Sequence, residues 1–221
     1  MKRILIVGAG GQIGSELTTY LRKIYGNDNV VATDVRECKQ LAESGPFEVM
    51  NALDANAMAE MVSRQKIDSI FNLVALLSAV GEAKPQTAWQ VNIGALMNSL
   101  EVARQYNCAL FTPSSIGAFG PSSPKDKTPQ DTVLRPTTMY GVCKVTGEML
   151  VRCGYPFGAF PRIDFQRDPS GRRYDRLRGG DLLRSDPFGP LHLPRAGRCL
   201  YGHDVHARCA ACLRGADGGR S

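Results

Sequence analysis

Tyr140 and Lys144, in "TMYGVCK", are the residues of this chain whose types and spacing best suit proton transfer. Residues four apart on a helix lie on one face, one above the other. A phenol with a pKa of about 10 is a poor base at neutral pH, and a neighbouring ammonium favours its ionised form. Lowering that pKa by about three pH units corresponds to roughly 4 kcal/mol. Y-x-x-x-K alone is common and is usually a surface pair. Here it follows "TPSSIGAFG", in which Ser114 and Ser115 can steady a substrate hydroxyl or serve only as turn serines after Pro113.

The second constellation lies near the start, in "RILIVGAGGQIGSELTTYLRKIYG". A β-branched run is followed by Gly8, Gly11 and Gly14 and then by a helical pattern. In this setting Gly8 permits a tight turn, Gly11 lets backbone approach a pyrophosphate, and Gly14 lets helix and strand pack closely. The helix N-terminus then offers N–H donors to phosphate. Asp34 ends the next strand-like run, 20 residues past Gly14, where an acid accepts the ribose hydroxyls of NAD. Arg36 is either a group for a 2′-phosphate or a solvated surface charge. An ammonium at Lys144 can also hydrogen-bond a nicotinamide ribose. The glycines alone are a weak signal. Glycine turn, acid, serines and Tyr–Lys pair occurring in this order make a stronger one.

These residues need a scaffold of alternating strands and helices. "RILIV", "NVVATDV", "FEVMNALD", "DSIFNLVALL" and "CALFTPSS" read as five strands. The fourth is almost wholly apolar, as suits a strand covered on both faces. Leu17, Leu21 and Ile24 repeat at helical spacing in the first helix. Trp89, Ile93, Leu96, Leu100 and Ala103 mark the expected buried stripe of a long helix between strands four and five. The pattern predicts an α/β Rossmann-type, doubly wound parallel sheet.

Composition narrows the classes further. Hydrophobic residues make up 43% of the 221-residue chain, ordinary for a soluble protein. There is no apolar run long enough for a membrane span, and "MKRILIVGAGG" lacks a signal-peptide pattern, so the expected location is cytoplasmic. The seven cysteines are then expected to be thiols. The net charge of +6 is unevenly placed. Residues 1–150 hold 14 Lys and Arg against 14 Asp and Glu; residues 151–221 hold 13 Arg, no Lys, 7 Asp and no Glu.

"ALLSAVGE", "TPSSIGAFGP", "KDKTPQDTV" and "PTTMYGVCKVTGE" resemble the short-chain form of L-threonine 3-dehydrogenase, within the extended short-chain dehydrogenases of the epimerase/dehydratase type. The resemblance runs from about Lys2 to Leu150. It implies NAD-dependent oxidation of the 3-hydroxyl of L-threonine to 2-amino-3-ketobutyrate, with a small-molecule substrate and a homodimeric family form. By resemblance Tyr140 is the general base, Lys144 its partner, and Ser115 the hydroxyl-orienting residue, with Ser114 second for that role. Cofactor contacts are implied at Gly8, Gly11, Gln12, Ile13, Gly14, Asp34, Asn51, Ala52, Leu73, Val74, Ala75, Asn92, Tyr140 and Lys144, and substrate contacts at Ser78, Ser115 and Tyr140. Two departures stand out: "NLVA" replaces the usual H-x-A-A after strand four, and Asn51 stands where an aspartate commonly meets the adenine.

Past Leu150 the resemblance stops. Synonymous codons for Tyr174–Asp186, started one nucleotide later, spell T-T-D-Y-A-V-E-I-F-Y-E-A, which resembles the family's substrate loop. One offset serves the whole tail. Residues 151–221 therefore read as an out-of-frame tail, expected to be disordered, with the sixth strand lost and strand five left as an unpaired edge. On this reading Cys199, His203, His206, Cys209 and Cys212 form no metal site despite zinc-like spacing, and the arginines form no nucleic-acid arm. The alternatives are a nucleotide-sugar epimerase or dehydratase relative, and a non-catalytic dinucleotide-binding module.

Overall fold

The computed structural model describes residues 3–126, 128–129 and 132–152, and the backbone of 163–164. The strands are β1 (Ile4–Val7), β2 (Val30–Asp34), β3 (Phe47–Val49), β4 (Ser69–Asn72), β5 (Ala109–Phe111) and β6 (Ile163–Asp164). Between them run helices α1 (Gln12–Tyr25), α2 (Lys39–Glu43), α3 (Ala55–Gln65), α4 (Ser78–Ala83), α5 (Pro85–Tyr106) and α6 (Met139–Arg152). The strands pair in parallel, in the order β3-β2-β1-β4-β5-β6. Chain order reverses between β1 and β4, so the crevice at their C-terminal ends is the switch point where such sheets receive ligands.

Alternation along the strands explains why both sheet faces are covered. Leu5, Val7, Val31, Ile70 and Leu110 face Met58, Met61 and Val62 of α3 and Leu96 and Leu100 of α5. Their neighbours Ile4, Ile6, Val30, Ala32 and Phe71 face Leu17 and Leu21 of α1. All four residues of β4 are buried, as its apolar run predicts.

Two stripe residues fall elsewhere. Ile93, Leu96, Leu100 and Ala103 are buried, but Trp89 is 40% exposed and lines an open surface pocket with Pro85, Gln86, Gln90 and Met139. Ile24 is 38% exposed in the last turn of α1.

The expected loss of the sixth strand is also corrected. Ile163 and Asp164 pair in parallel with Leu110 and Phe111, so β5 has a partner over those two positions. α6 runs to Arg152. The zinc-like set and the arginine-rich segment lie outside the described residues. Among the described residues no helix is long and apolar enough to cross a membrane.

Candidate active site

The glycine turn joins β1 to α1. Gly8 has φ +84°, a left-handed conformation that favours glycine, and the N–H groups of Gly8 and Ala9 both donate to the Thr33 carbonyl at 2.9 Å. A Cβ on Gly14 would stand 2.4 Å from the Gly8 carbonyl oxygen and 2.7 Å from the Ala9 Cα, so helix and turn can touch only through glycine. Gly11 differs. A Cβ there would meet nothing nearer than that same oxygen at 3.5 Å, and Gly11, Gln12 and Ile13 are exposed. The start of α1 has no side-chain cap and no acidic residue in its first turn. The helix therefore presents its positive dipole end beside a glycine with free space.

Asp34 ends β2 against this turn. One carboxylate oxygen accepts the Gly10 N–H at 2.9 Å and the other accepts the Arg36 N–H at 3.2 Å. The Arg36 side chain is exposed. Met50, whose N–H donates to the Asp34 carbonyl, leads into Asn51 and Ala52. Asn51 is exposed and its side-chain oxygen accepts the Leu53 N–H at 3.0 Å, while Ala52 is buried.

Beyond β4 the segment Leu73–Ala75 runs beside the turn: a Cβ on Gly8 would stand 3.0 Å from the Val74 nitrogen. Asn92 of α5 holds the next residue, accepting the Leu76 N–H at 2.6 Å and donating to its carbonyl at 3.1 Å. Its amide thus braces the segment after β4. Ser78 opens α4 and is exposed.

Tyr140 is the second residue of α6. Thr138 caps that helix by accepting the Gly141 N–H at 3.0 Å, and Glu82 of α4 accepts the Met139 N–H. A Cβ on Gly117 would meet the Tyr140 ring at 3.2 Å, so the ring lies over the short 3-10 turn Ile116–Ala118 after β5. Ser115 opens that turn. Its hydroxyl oxygen accepts the Gly117 N–H at 3.1 Å, and it lies near the Tyr140 ring, since the same Cβ on Gly117 would stand 3.5 Å from the Ser115 Oγ. Ser114 turns the other way and donates to Glu148 at 2.5 Å. Lys144 Nζ donates to the Pro113 carbonyl at 2.9 Å and lies 5.5 Å from the centroid of the Tyr140 ring.

Burial sets the protonation chemistry. It raises the Tyr140 pKa above its ordinary value, with the Ser115 hydrogen bond working in the opposite direction. It pushes Lys144 down to about 8. The expectation of a tyrosine already depressed by its lysine is therefore corrected: in this structure the ammonium is engaged by a carbonyl, and desolvation of the phenolate dominates. Cys143, between them in sequence, is buried beside Asn92, and its thiol is raised by desolvation. Lys144, Cys143, Asn92, Asn72, Thr112 and Val74 line a small cleft of about 20 Å³ that opens to solvent.

The family model for the NAD dependent epimerase/dehydratase family matches residues 4–153. The chain belongs to that family. An "uncharacterized epimerase/dehydratase" of Staphylococcus saprophyticus is 54% identical over 162 residues, covering 72% of this chain and 50% of the relative. Among solved structures, an L-threonine dehydrogenase from Clostridium difficile is 50% identical with a TM-score of 0.70, covering 74% of this chain and 52% of that one. The holo form of a GalE-like L-threonine dehydrogenase from Cupriavidus necator is 44% identical with a TM-score of 0.71, covering 75% and 54%. The chain spans about half the length of these relatives.

The cofactor of this epimerase/dehydratase family is NAD, and the residues present fit it. Three features carry the fit: the free space at Gly11, the uncapped start of α1, and the Asp34 carboxylate at the turn. Sequence reasoning missed Glu148, Glu82 and Thr138. The first was detectable, since Tyr140, Lys144 and Glu148 follow one another at helical spacing of four. The cap from Glu82, 57 residues away, had no local signal.

Proposed function

We propose that residues 1–150 are the nucleotide-binding and proton-transferring part of an NAD-dependent L-threonine 3-dehydrogenase. The observation that carries this reading is the Ser115–Tyr140–Lys144 cluster after β5, carried by the same sheet as the glycine turn after β1 and Asp34 at the end of β2. The solved relatives at 44–50% identity, which are L-threonine dehydrogenases, support the choice of substrate.

Gly8, Gly11 and Gly14, with the N–H groups of Gln12 and Ile13, would hold the pyrophosphate. Asp34 would take the adenine-side ribose, and Leu73–Ala75 would flank the nicotinamide side. NAD, when bound, accepts the hydride leaving the oxidised carbon. Ser115 would orient the threonine 3-hydroxyl and Tyr140 would remove its proton. Lys144 would supply positive charge to Tyr140, offsetting the desolvation that raises its pKa, and would hydrogen-bond the nicotinamide ribose. The product of that oxidation is 2-amino-3-ketobutyrate.

Residues 151–221 are, on the same proposal, an out-of-frame reading, so the chain as written binds NAD but turns threonine over poorly. Positioning of the reacting carbon can be worth roughly 7–11 kcal/mol, and the substrate loop that would contribute to it lies in the other frame. The nucleotide sequence around codon 150 tests this. A single uninterrupted frame using codons incompatible with the offset overturns it. The functional reading is tested by calorimetry with NAD on the full chain. A protein restored to its relatives' length and reading frame is then assayed with L-threonine. Binding followed by NADH formation supports it. Restored protein that binds NAD and ignores threonine, but acts on a nucleotide sugar, moves the reading to the epimerase branch.

A further inference from the structure

Glu148 is an ionisable side chain only 2% exposed, placed on α6 one helical turn beyond Lys144. Two consecutive turns of this helix grip two consecutive residues after β5: Lys144 donates to the Pro113 carbonyl, and Glu148 accepts from the Ser114 hydroxyl. The next residue is Ser115, whose hydroxyl stands with the Tyr140 ring around Gly117: a Cβ on that glycine would be 3.5 Å from the Ser115 Oγ and 3.2 Å from the ring. The serine therefore approaches the tyrosine at the end of a closed loop of contacts. That loop runs from Tyr140 along α6 to Glu148, across to Ser114, and through one peptide bond to Ser115.

A buried carboxylate is costly unless hydrogen-bonded, and a core of apolar residues would serve packing as well. Its position instead matches the need to hold Ser114 turned away from the site. The Ser115 backbone is extended, with φ −157° and ψ 155°, so the two adjacent side chains leave the chain on opposite sides, and anchoring Ser114 to α6 sets the side from which Ser115 projects.

We propose that Glu148 is a positioning residue of the active site: by holding the Ser114 hydroxyl against α6 it fixes the Ser115 hydroxyl against Tyr140. This rests on the functional reading above only in treating Tyr140 as the proton acceptor. Three other groups border Tyr140: Lys144 on α6 itself, Glu82 from α4 through the Met139 N–H, and Ser115 from the 3-10 turn.

The test follows the ionisation of Tyr140 in the full chain by NMR of ring-carbon-labelled tyrosine, with Tyr140→Phe assigning the signal. No cofactor and no turnover is needed. Glu148→Ala and Ser114→Ala should both move the Tyr140 midpoint upward, lowering the phenolate fraction at a fixed pH about threefold, because the Ser115 bond is loosened. Glu148→Gln, which keeps an acceptor for Ser114, should titrate like the unaltered protein. A purely structural role would lower stability in these variants and leave the Tyr140 midpoint in place. That result in Ser114→Ala, folded by circular dichroism, overturns the proposal even if Glu148→Ala does not fold. So does an equal shift in Glu148→Gln. Failure of NAD to bind would count against the functional reading alone and would leave this titration intact.

Discussion

The Lys144 ammonium is bonded to the Pro113 carbonyl at 2.9 Å, and burial holds its pKa near 8 instead of 10.5. The unfolded chain therefore binds more protons at this site between about pH 8 and pH 10.5. Stability contributed by the site rises with pH through that window, and the charging penalty is fully present below it. Lys144→Met removes the penalty. In urea unfolding, the stability of the unaltered chain relative to Lys144→Met should increase from pH 7 to pH 10, by at most about 3 kcal/mol. Parallel pH profiles for the two proteins would contradict the assignment.

Gly14 and Gly11 should fail in different ways. A Cβ at Gly14 meets backbone at 2.4 Å and 2.7 Å, which cannot give way, so Gly14→Ala should cost about 3 kcal/mol of stability. At Gly11 the nearest atom is at 3.5 Å and φ is −74°, a conformation alanine adopts. Gly11→Ala should unfold within about 1 kcal/mol of the unaltered protein, yet bind NAD at least about tenfold more weakly, because the methyl fills the space beside the helix N-terminus. Denaturation and calorimetry on the same samples separate the two effects.

Tyr140→Phe keeps the ring over Gly117 and removes only the hydroxyl. NAD affinity should stay within about twofold, whereas Lys144→Met, which deletes a ribose donor, should weaken it about tenfold. Equal losses in both variants would show that Tyr140 holds cofactor and does not act chiefly on protons.

Arg22 offers a check on the scaffold away from the site. Its guanidinium is 3% exposed and donates to the carbonyls of Val30, Leu41 and Pro46 and to the Ser44 hydroxyl. Burial lowers its pKa, but its role is to satisfy acceptors at the start of β2 and along the chain leaving α2. Arg22→Met strands those acceptors and should cost about 3 kcal/mol in denaturant unfolding. NAD affinity measured where the variant is folded should be unchanged.

Much of this protein was legible locally. Five strands, the glycine turn, Asp34 and the Tyr140–Lys144 spacing each depend on residues within one turn or one strand of each other. The period of two or of 3.6 writes such relationships into the chain. The same holds for the core, where the neighbouring residues Leu5 and Ile6 enter opposite faces because a strand alternates.

The third dimension decided which of two adjacent serines meets the tyrosine, what the lysine bonds to, and in which direction the tyrosine titrates. None of these is a property of spacing. Ser114 and Ser115 are equivalent until Glu148, 34 positions on, takes one of them. Lys144 looks like a simple charge donor until Pro113, 31 positions back, presents a carbonyl. The Tyr140 pKa depends on how much water the fold removes from around the ring, and desolvation is the sum of contacts from α4, α6 and the turn after β5. A sequence lists the groups that can interact; only the packed chain sets their distances and their dielectric surroundings, and those govern proton affinity.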